Sequence, residues 1–237
     1  MPVRRTTGFV IVALLLLSGT ATALVAGTGT NTRSRGVVLF VGDSNVTLSA
    51  GQVMARMTLG DHYNDAYIPV FAPRFGATIR THDCARESGC TTYNYWQIRL
   101  RETLLKVQPD AIVNDLGIND TTRPGTQTTP GYAFYGAKID WFMRLIPRTT
   151  PVFWTNLACL IEPVRRWDGC KVANQALAVA QGRWPNLVLV NWAVSARSHP
   201  VYLVGGNRSN VHLSATGASV WIARVTAAMD ARLPAPS

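Results

Sequence analysis

The chain has 237 residues, 47% of them hydrophobic, with 23 Lys and Arg against 13 Asp and Glu and a formal charge of +10. That length and apolar share suit one globular domain with its own core; they exclude a disordered or low-complexity chain, and there is no internal repeat. The arginines are scattered rather than drawn into a tract, so the charge points away from nucleic acid and toward a soluble basic surface or an anionic cell-envelope surface.

The chain opens on an export signal. Arg4 and Arg5 precede the unbroken apolar run Phe9–Leu17, and Ala21-Thr22-Ala23 follows. A charged start, a short apolar run and an A-x-A site are the layout of a secretory signal peptide. Gly8–Ala26, 19 residues without a charge, also reaches the lower limit of a membrane span. Residues 1–27 are read as a signal peptide or an N-terminal membrane anchor. The rest is expected to be exported, secreted or held at the outer face of the membrane. Residues 28–36 are polar and Gly-rich and read as a linker to a domain over 37–233.

Val37–Val41 is a short apolar run closed by Gly42, the pattern of a strand buried on both faces. A helix is expected from Ser44 to about Met57, then a strand at Tyr67–Phe71. A helix over Tyr93–Val107 is stopped by Pro109. Ala111–Leu116 reads as a strand, Tyr132–Ile146 as a helix, Pro151–Thr155 as a strand, Val172–Gln181 as a helix and Leu187–Val190 as a strand. A last helix runs from Ser214, its N-cap, to about Leu233. This alternation predicts an α/β domain with a parallel sheet covered by helices on both faces. Right-handed crossovers put every strand's C-terminal end on one edge, where such sheets bind ligands.

Four cysteines suit an exported chain. Cys84 lies near Cys90, and Cys159 near Cys170, so two local disulfides are the simplest of the three pairings. Each would stabilise by roughly 2–3 kcal/mol in the chain-entropy view. The spacings do not suit zinc, and no metal is expected.

The loops at the predicted edge carry the candidate chemistry. Gly42-Asp43-Ser44-Asn45 follows the first strand. A Ser at a strand-to-helix turn presents its hydroxyl at the sheet edge, with its own N–H opening the helix. Capping the helix is the alternative use. Gly117-Ile118-Asn119-Asp120 follows the third strand. The Asn119 amide can donate into the same space, or these residues simply make a turn. Gly76 can bring a backbone N–H close to a reacting centre. Among His62, His82, His199 and His212, only His212 directly precedes a helix start.

Together, strand-Gly-Asp-Ser, strand-Gly-x-Asn-Asp and Val-His-Leu before the terminal helix resemble the SGNH hydrolases, also called GDSL esterases and lipases. The resemblance spans Val37 to about Leu233, and its first block here reads GDSN rather than GDSL. It implies a three-layer α/β/α, flavodoxin-like fold with a five-stranded parallel sheet. It implies an ester hydrolase with Ser44 as nucleophile and His212 as general base. It also implies an oxyanion hole of the Ser44 N–H, the Gly76 N–H and the Asn119 amide, with no cofactor. The implied substrates are carboxylic esters: acylated glycans, lipids or small acyl esters.

The chain departs from that pattern at Ser209, where the family usually has an Asp three residues before the His. A buried Asp there fixes the imidazole tautomer and stabilises the imidazolium. Three readings remain. A neutral oxygen near residues 207–209, Ser209 among them, accepts the second ring N–H; a distant carboxylate such as Asp168 fills the gap; or the site is impaired. The last corresponds to a glycan- or wall-binding protein, and an acyltransferase would use the same residues as the hydrolase. The loop between Cys159 and Cys170 carries Arg165, Arg166, Trp167 and Asp168 and is expected to touch substrate at the active edge. The sequence leaves the oligomeric state open.

Overall fold

In β1, Gly36–Gly42, alternate side chains enter opposite cores. Leu39 and Val41 face one apolar cluster, Val38 and Phe40 the other, and all four are fully buried. The continuous apolar run therefore marks a strand covered on both faces. A computed structural model of the chain describes residues 36–47, 58, 60–63, 66–73, 77–79, 94–121, 131–158, 164–204 and 211–233, with the backbone alone at 47, 73, 94–99 and 164–167. The chain divides into two compact units, Met1–Arg33 and Ser34–Ser237, and the described residues belong to the second.

After β1 come α1 (Ser44–Thr47), β2 (Tyr67–Pro73), α2 (Asn94–Val107), β3 (Ala111–Asp115) and a single 3₁₀ turn at Ile118–Asp120. Then follow α3 (Tyr132–Met143), β4 (Val152–Thr155), α4 (Val164–Arg183), β5 (Leu187–Val190), α5 (Trp192–Ser198), a 3₁₀ turn at Pro200–Tyr202 and α6 (Ala215–Asp230). The five strands form one sheet in the order β2-β1-β3-β4-β5, with every pair parallel. This is the flavodoxin-like order, with helices in layers on both faces. The three-layer α/β/α fold implied by the resemblance is the one observed.

The register sets the level of the site. Gly42 is opposite Pro73 on one side and Asp115 on the other, so β1, β2 and β3 end together. The topological switch lies at β1, where the chain goes first to β2 and then across to β3. The first cluster packs under α3 and α4 through Tyr135, Ile139, Phe142, Ala173 and Leu177. The second packs under α6 through Trp221, Ile222, Val225 and Met229. Fully burying a side chain of this size contributes about 1.5–3 kcal/mol, so the two clusters are the main source of the domain's stability. Trp154 is fully buried and satisfies its indole N–H on the Leu116 carbonyl at 3.0 Å, which places an aromatic of the core directly behind the β3 turn.

Several expectations needed correction. The helix expected over Val172–Gln181 begins eight residues earlier, at Val164. Arg165, Trp167 and Asp168 therefore stand on a helix rather than in a loop. Pro163 and the interior Gly169 hid its start. Gly169 is required because a Cβ there would lie 2.4 Å from the Thr121 carbonyl oxygen. Between β5 and the His212 loop, where no element was expected, lie α5 and a 3₁₀ turn. The strands at Ala111 and Pro151 are each one residue shorter than expected, and the helix from Tyr132 ends at Met143. Among the described residues, no helix is long and apolar enough to cross a membrane.

Candidate active site

Ser44 is the first residue of α1, directly beyond the C-terminal end of β1. The chain turns so sharply there that a Cβ on Gly42 would lie 2.3 Å from the Val46 side chain. Ser44 is 5% exposed, and its Oγ lies 3.0 Å from His212 Nε2. With Nε2 unprotonated, the Ser44 hydroxyl donates to it. Residues 168 positions apart in sequence thus bring a hydroxyl and an imidazole into hydrogen-bond contact at the sheet edge, the geometry a nucleophile and its base require.

His212 reaches this point because its backbone is clamped. Leu203 and Leu213 form an isolated antiparallel bridge. The Val204 N–H donates to the His212 carbonyl at 2.9 Å, and the Ser214 N–H donates to the Tyr202 carbonyl, also at 2.9 Å. Ser214 caps α6 by accepting the Gly217 N–H at 3.1 Å. Gly217 is required at that point, since a Cβ would come within 1.8 Å of the Tyr202 oxygen. Base, cap and helix start are therefore one packed unit.

The β3 turn is pinned on all sides. Gly117 has φ +136°, a region that glycine adopts without strain. Tyr135 donates to the Asp120 carbonyl at 3.1 Å, Ile79 N–H donates to Asp120 Oδ2 at 2.8 Å, and Lys138 pairs with Asp120 Oδ1. Lys138 and Asp120 are both buried, so the pair compensates two charges withdrawn from water. On this turn Asn119 is half-buried. Its Nδ2 donates to Asp43 Oδ2 at 3.1 Å and to the Ala77 carbonyl at 3.0 Å. An amide has two N–H bonds, so both are occupied in this arrangement, and one must turn if Asn119 is to meet an oxyanion.

Three carboxyls lie buried behind the pair: Asp43, Asp115 and Asp120. In the sequence Asp43 and Asp120 read as loop residues and Asp115 as part of a strand. Burial raises the Asp43 pKa well above the ordinary value, the charges of Asp115 and then Asp120 raise it further, and the Asn45 N–H opposes them. That N–H donates to Asp43 Oδ1 at 3.1 Å. Burial also pushes Asp115 up to about 6, against the Thr155 hydroxyl and the Asn45 side chain, which lower it. Thr155 donates to Asp115 Oδ1. Asp115 Oδ2 meets no donor within hydrogen-bond geometry.

The sign for stability follows. A carboxyl with a raised folded pKa binds its proton more tightly in the native state. Stability from Asp115 is therefore fully present below pH 3.8 and is lost as pH rises through about 6. A rise of that size corresponds to roughly 3 kcal/mol at most. Asp115→Asn should remove this loss, so that the variant gains on the natural chain at pH 8 and not at pH 4. Urea unfolding of both at the two pH values checks it; an equal difference at both would contradict the raised pKa.

Asn45, Asp115, Ile118, Asn156, Leu157, Ala158, Trp192 and Val211 line a cavity of about 20 Å³ beside the pair. That is room for a water or a methyl group. Asn156 is braced there, accepting the Ala193 N–H at 2.6 Å and donating to Asn191 at 2.9 Å.

The structure thus brings Ser44, His212 and Asn119 to one edge. Gly76, Ser209, Cys84, Cys90 and Cys159 lie outside the described residues, as do the side chains of Arg165 and Trp167. Cys170 is buried and disulfide-bonded. Asp168 is exposed on α4, and no hydrogen bond or ion pair joins it to His212, so it is not the partner of the base. Among the described residues, no group of three or more His, Cys, Asp or Glu is placed to hold a metal ion. Sequence reasoning missed Asn45 and the buried acids; the departure of GDSN from GDSL was the available signal for the first.

No protein-family model matches the chain, and no curated protein matches it in sequence. Solved structures do match in fold. A catalytic mutant of Axe2, an acetylxylan esterase from Geobacillus stearothermophilus, aligns with a TM-score of 0.65 at 13% identity, over 84% of this chain and 96% of that one. The lipase/acylhydrolase from Enterococcus faecalis aligns at 0.63 and 15% identity, over 85% and 99%. The C-terminal catalytic domain of peptidoglycan O-acetyltransferase A from Streptococcus pneumoniae, carrying a methylsulfonyl adduct, aligns at 0.57 and 15% identity, over 83% and 93%. At such identities the likeness establishes the fold, and the site must be argued from its own geometry.

Proposed function

We propose that the chain is an exported serine ester hydrolase of the SGNH type, acting on carboxylic esters through Ser44 and His212. The observation that carries this reading is the 3.0 Å contact between Ser44 Oγ and His212 Nε2 at the C-terminal edge of the sheet. His212 takes the hydroxyl proton as Oγ attacks the ester carbonyl. Negative charge then develops on the carbonyl oxygen. The Ser44 N–H, the Asn119 amide and the Gly76 N–H are the proposed donors to it. As the carbon–oxygen bond to the alcohol breaks, His212 returns the proton to the leaving oxygen. Water, deprotonated by His212, then releases the acyl group from Ser44.

A neutral oxygen near residues 207–209, with Ser209 foremost, is proposed to hold His212 Nδ1. The exposed position of Asp168 supports this over the distant-carboxylate alternative. The acetylxylan esterase and peptidoglycan O-acetyltransferase among the similar folds support an acylated glycan as substrate. Arg165 and Trp167 remain proposed substrate contacts. Export is supported by the N-terminal apolar run and by the disulfide at Cys170. The basic charge supports attraction to an anionic envelope surface.

The acetyltransferase likeness also favours a second reading, transfer of the acyl group to a glycan hydroxyl in place of water. Incubating the chain with p-nitrophenyl acetate and a soluble oligosaccharide separates the two. Free acetate at every acceptor concentration is the expected result. Acetylated oligosaccharide growing at the expense of acetate would establish transfer instead.

A further inference from the structure

The chain departs from the GDSL pattern twice, at Asn45 and at Ser209, and the structure puts the first departure against the base. Asn45 Oδ1 accepts the Leu213 N–H at 3.2 Å. The Val204 N–H donates to the His212 carbonyl at 2.9 Å. The His212 carbonyl and the Leu213 N–H are the two polar ends of one peptide group. That group is therefore held at both ends, by Val204 on one side and by the neighbour of the nucleophile on the other. Fixing the plane fixes ψ of His212, and with it the direction in which the imidazole leaves the backbone.

We propose that Asn45 is a positioning residue that holds the His212 ring on Ser44, with Asp115 lining the same cavity beside it. The proposal rests on the ester reading above. A leucine at this position has no acceptor for the Leu213 N–H. The Asn45 backbone N–H is committed to Asp43 Oδ1, so the residue cannot shift without disturbing the Ser44 turn. Asn45 and Asp115 line one cavity, and Thr155 at the end of β4 donates to Asp115 Oδ1. The peptide after His212 is thus tied through the Asn45 side chain to the turn that follows β1. This backbone hold acts beside whatever oxygen meets the second ring nitrogen.

Three variants test this, each read for kcat and KM on p-nitrophenyl acetate, for fluorophosphonate labelling of Ser44, for thermal unfolding and for Leu213 amide exchange. Asn45→Leu should lower kcat and labelling by about tenfold to a hundredfold with KM little changed, and should expose the Leu213 amide. Asn45→Asp keeps the acceptor but sets a second carboxylate against Asp115, and should lose activity at neutral pH. The exchange Asn45→Asp with Asp115→Asn restores one amide beside one carboxylate, and should recover most of that loss. Recovery would also show that the effect is not one of folding. A folded Asn45→Leu chain with unchanged kcat, or an exchange variant no better than Asn45→Asp, overturns the proposal. If the natural chain neither turns over the ester nor takes the probe, the ester reading itself falls, a result distinct from either.

Discussion

Ser44→Ala is expected to lower kcat on a small aryl ester by on the order of 10⁴-fold or more, with thermal stability little changed. The Ser44 hydroxyl is buried and lies against His212 Nε2, so removing it deletes the nucleophile without opening a large cavity. His212→Ala should cost a comparable factor, because an alcohol is a poor nucleophile when nothing takes its proton. The double variant should be little worse than either single one, since the two groups act as a unit. Turnover surviving in both variants would place the chemistry elsewhere.

Asn119→Ala should lower kcat by about a hundredfold to a thousandfold with KM nearly unchanged, the usual cost of one oxyanion donor. Both of its amide hydrogens are committed, to Asp43 and to the Ala77 carbonyl. Those bonds aim the amide before substrate arrives, and apo hydrogen bonds of this kind commonly rearrange in the reacting complex. Bracing and catalysis can be told apart. If Asn119 only braces the turn, the variant loses stability by about 1 kcal/mol and KM moves with kcat. If it meets the oxyanion, kcat falls alone. Measuring kcat, KM and unfolding on one preparation decides between them.

The strands were legible because Val37–Val41 is a continuous apolar run and Ala111–Val113 opens another, and such runs mark two-sided burial. The alternation then fixed the layering, and the placement of Ser44 and His212 followed from the resemblance. What stayed hidden depends on contacts between distant residues. Gly169 weakens a helix when read locally, yet it is there because α4 packs against the Thr121 carbonyl. Trp192–Ser198 is too short to show a helical period. Asp43 and Asp120 read as loop residues, and Asp115 as one more residue of a strand. Only the register, which sets Gly42 opposite Asp115, reveals them as buried neighbours. Asn45 reads as a variant letter of a motif until the His212 loop closes onto it.

His212 is proposed to activate Ser44. Treatment of the folded chain with a fluorophosphonate probe, followed by peptide mass analysis, tests it without knowledge of the substrate. The expected result is a single covalent adduct on Ser44 that is lost in His212→Ala. No adduct, or an adduct formed equally well without His212, would contradict it.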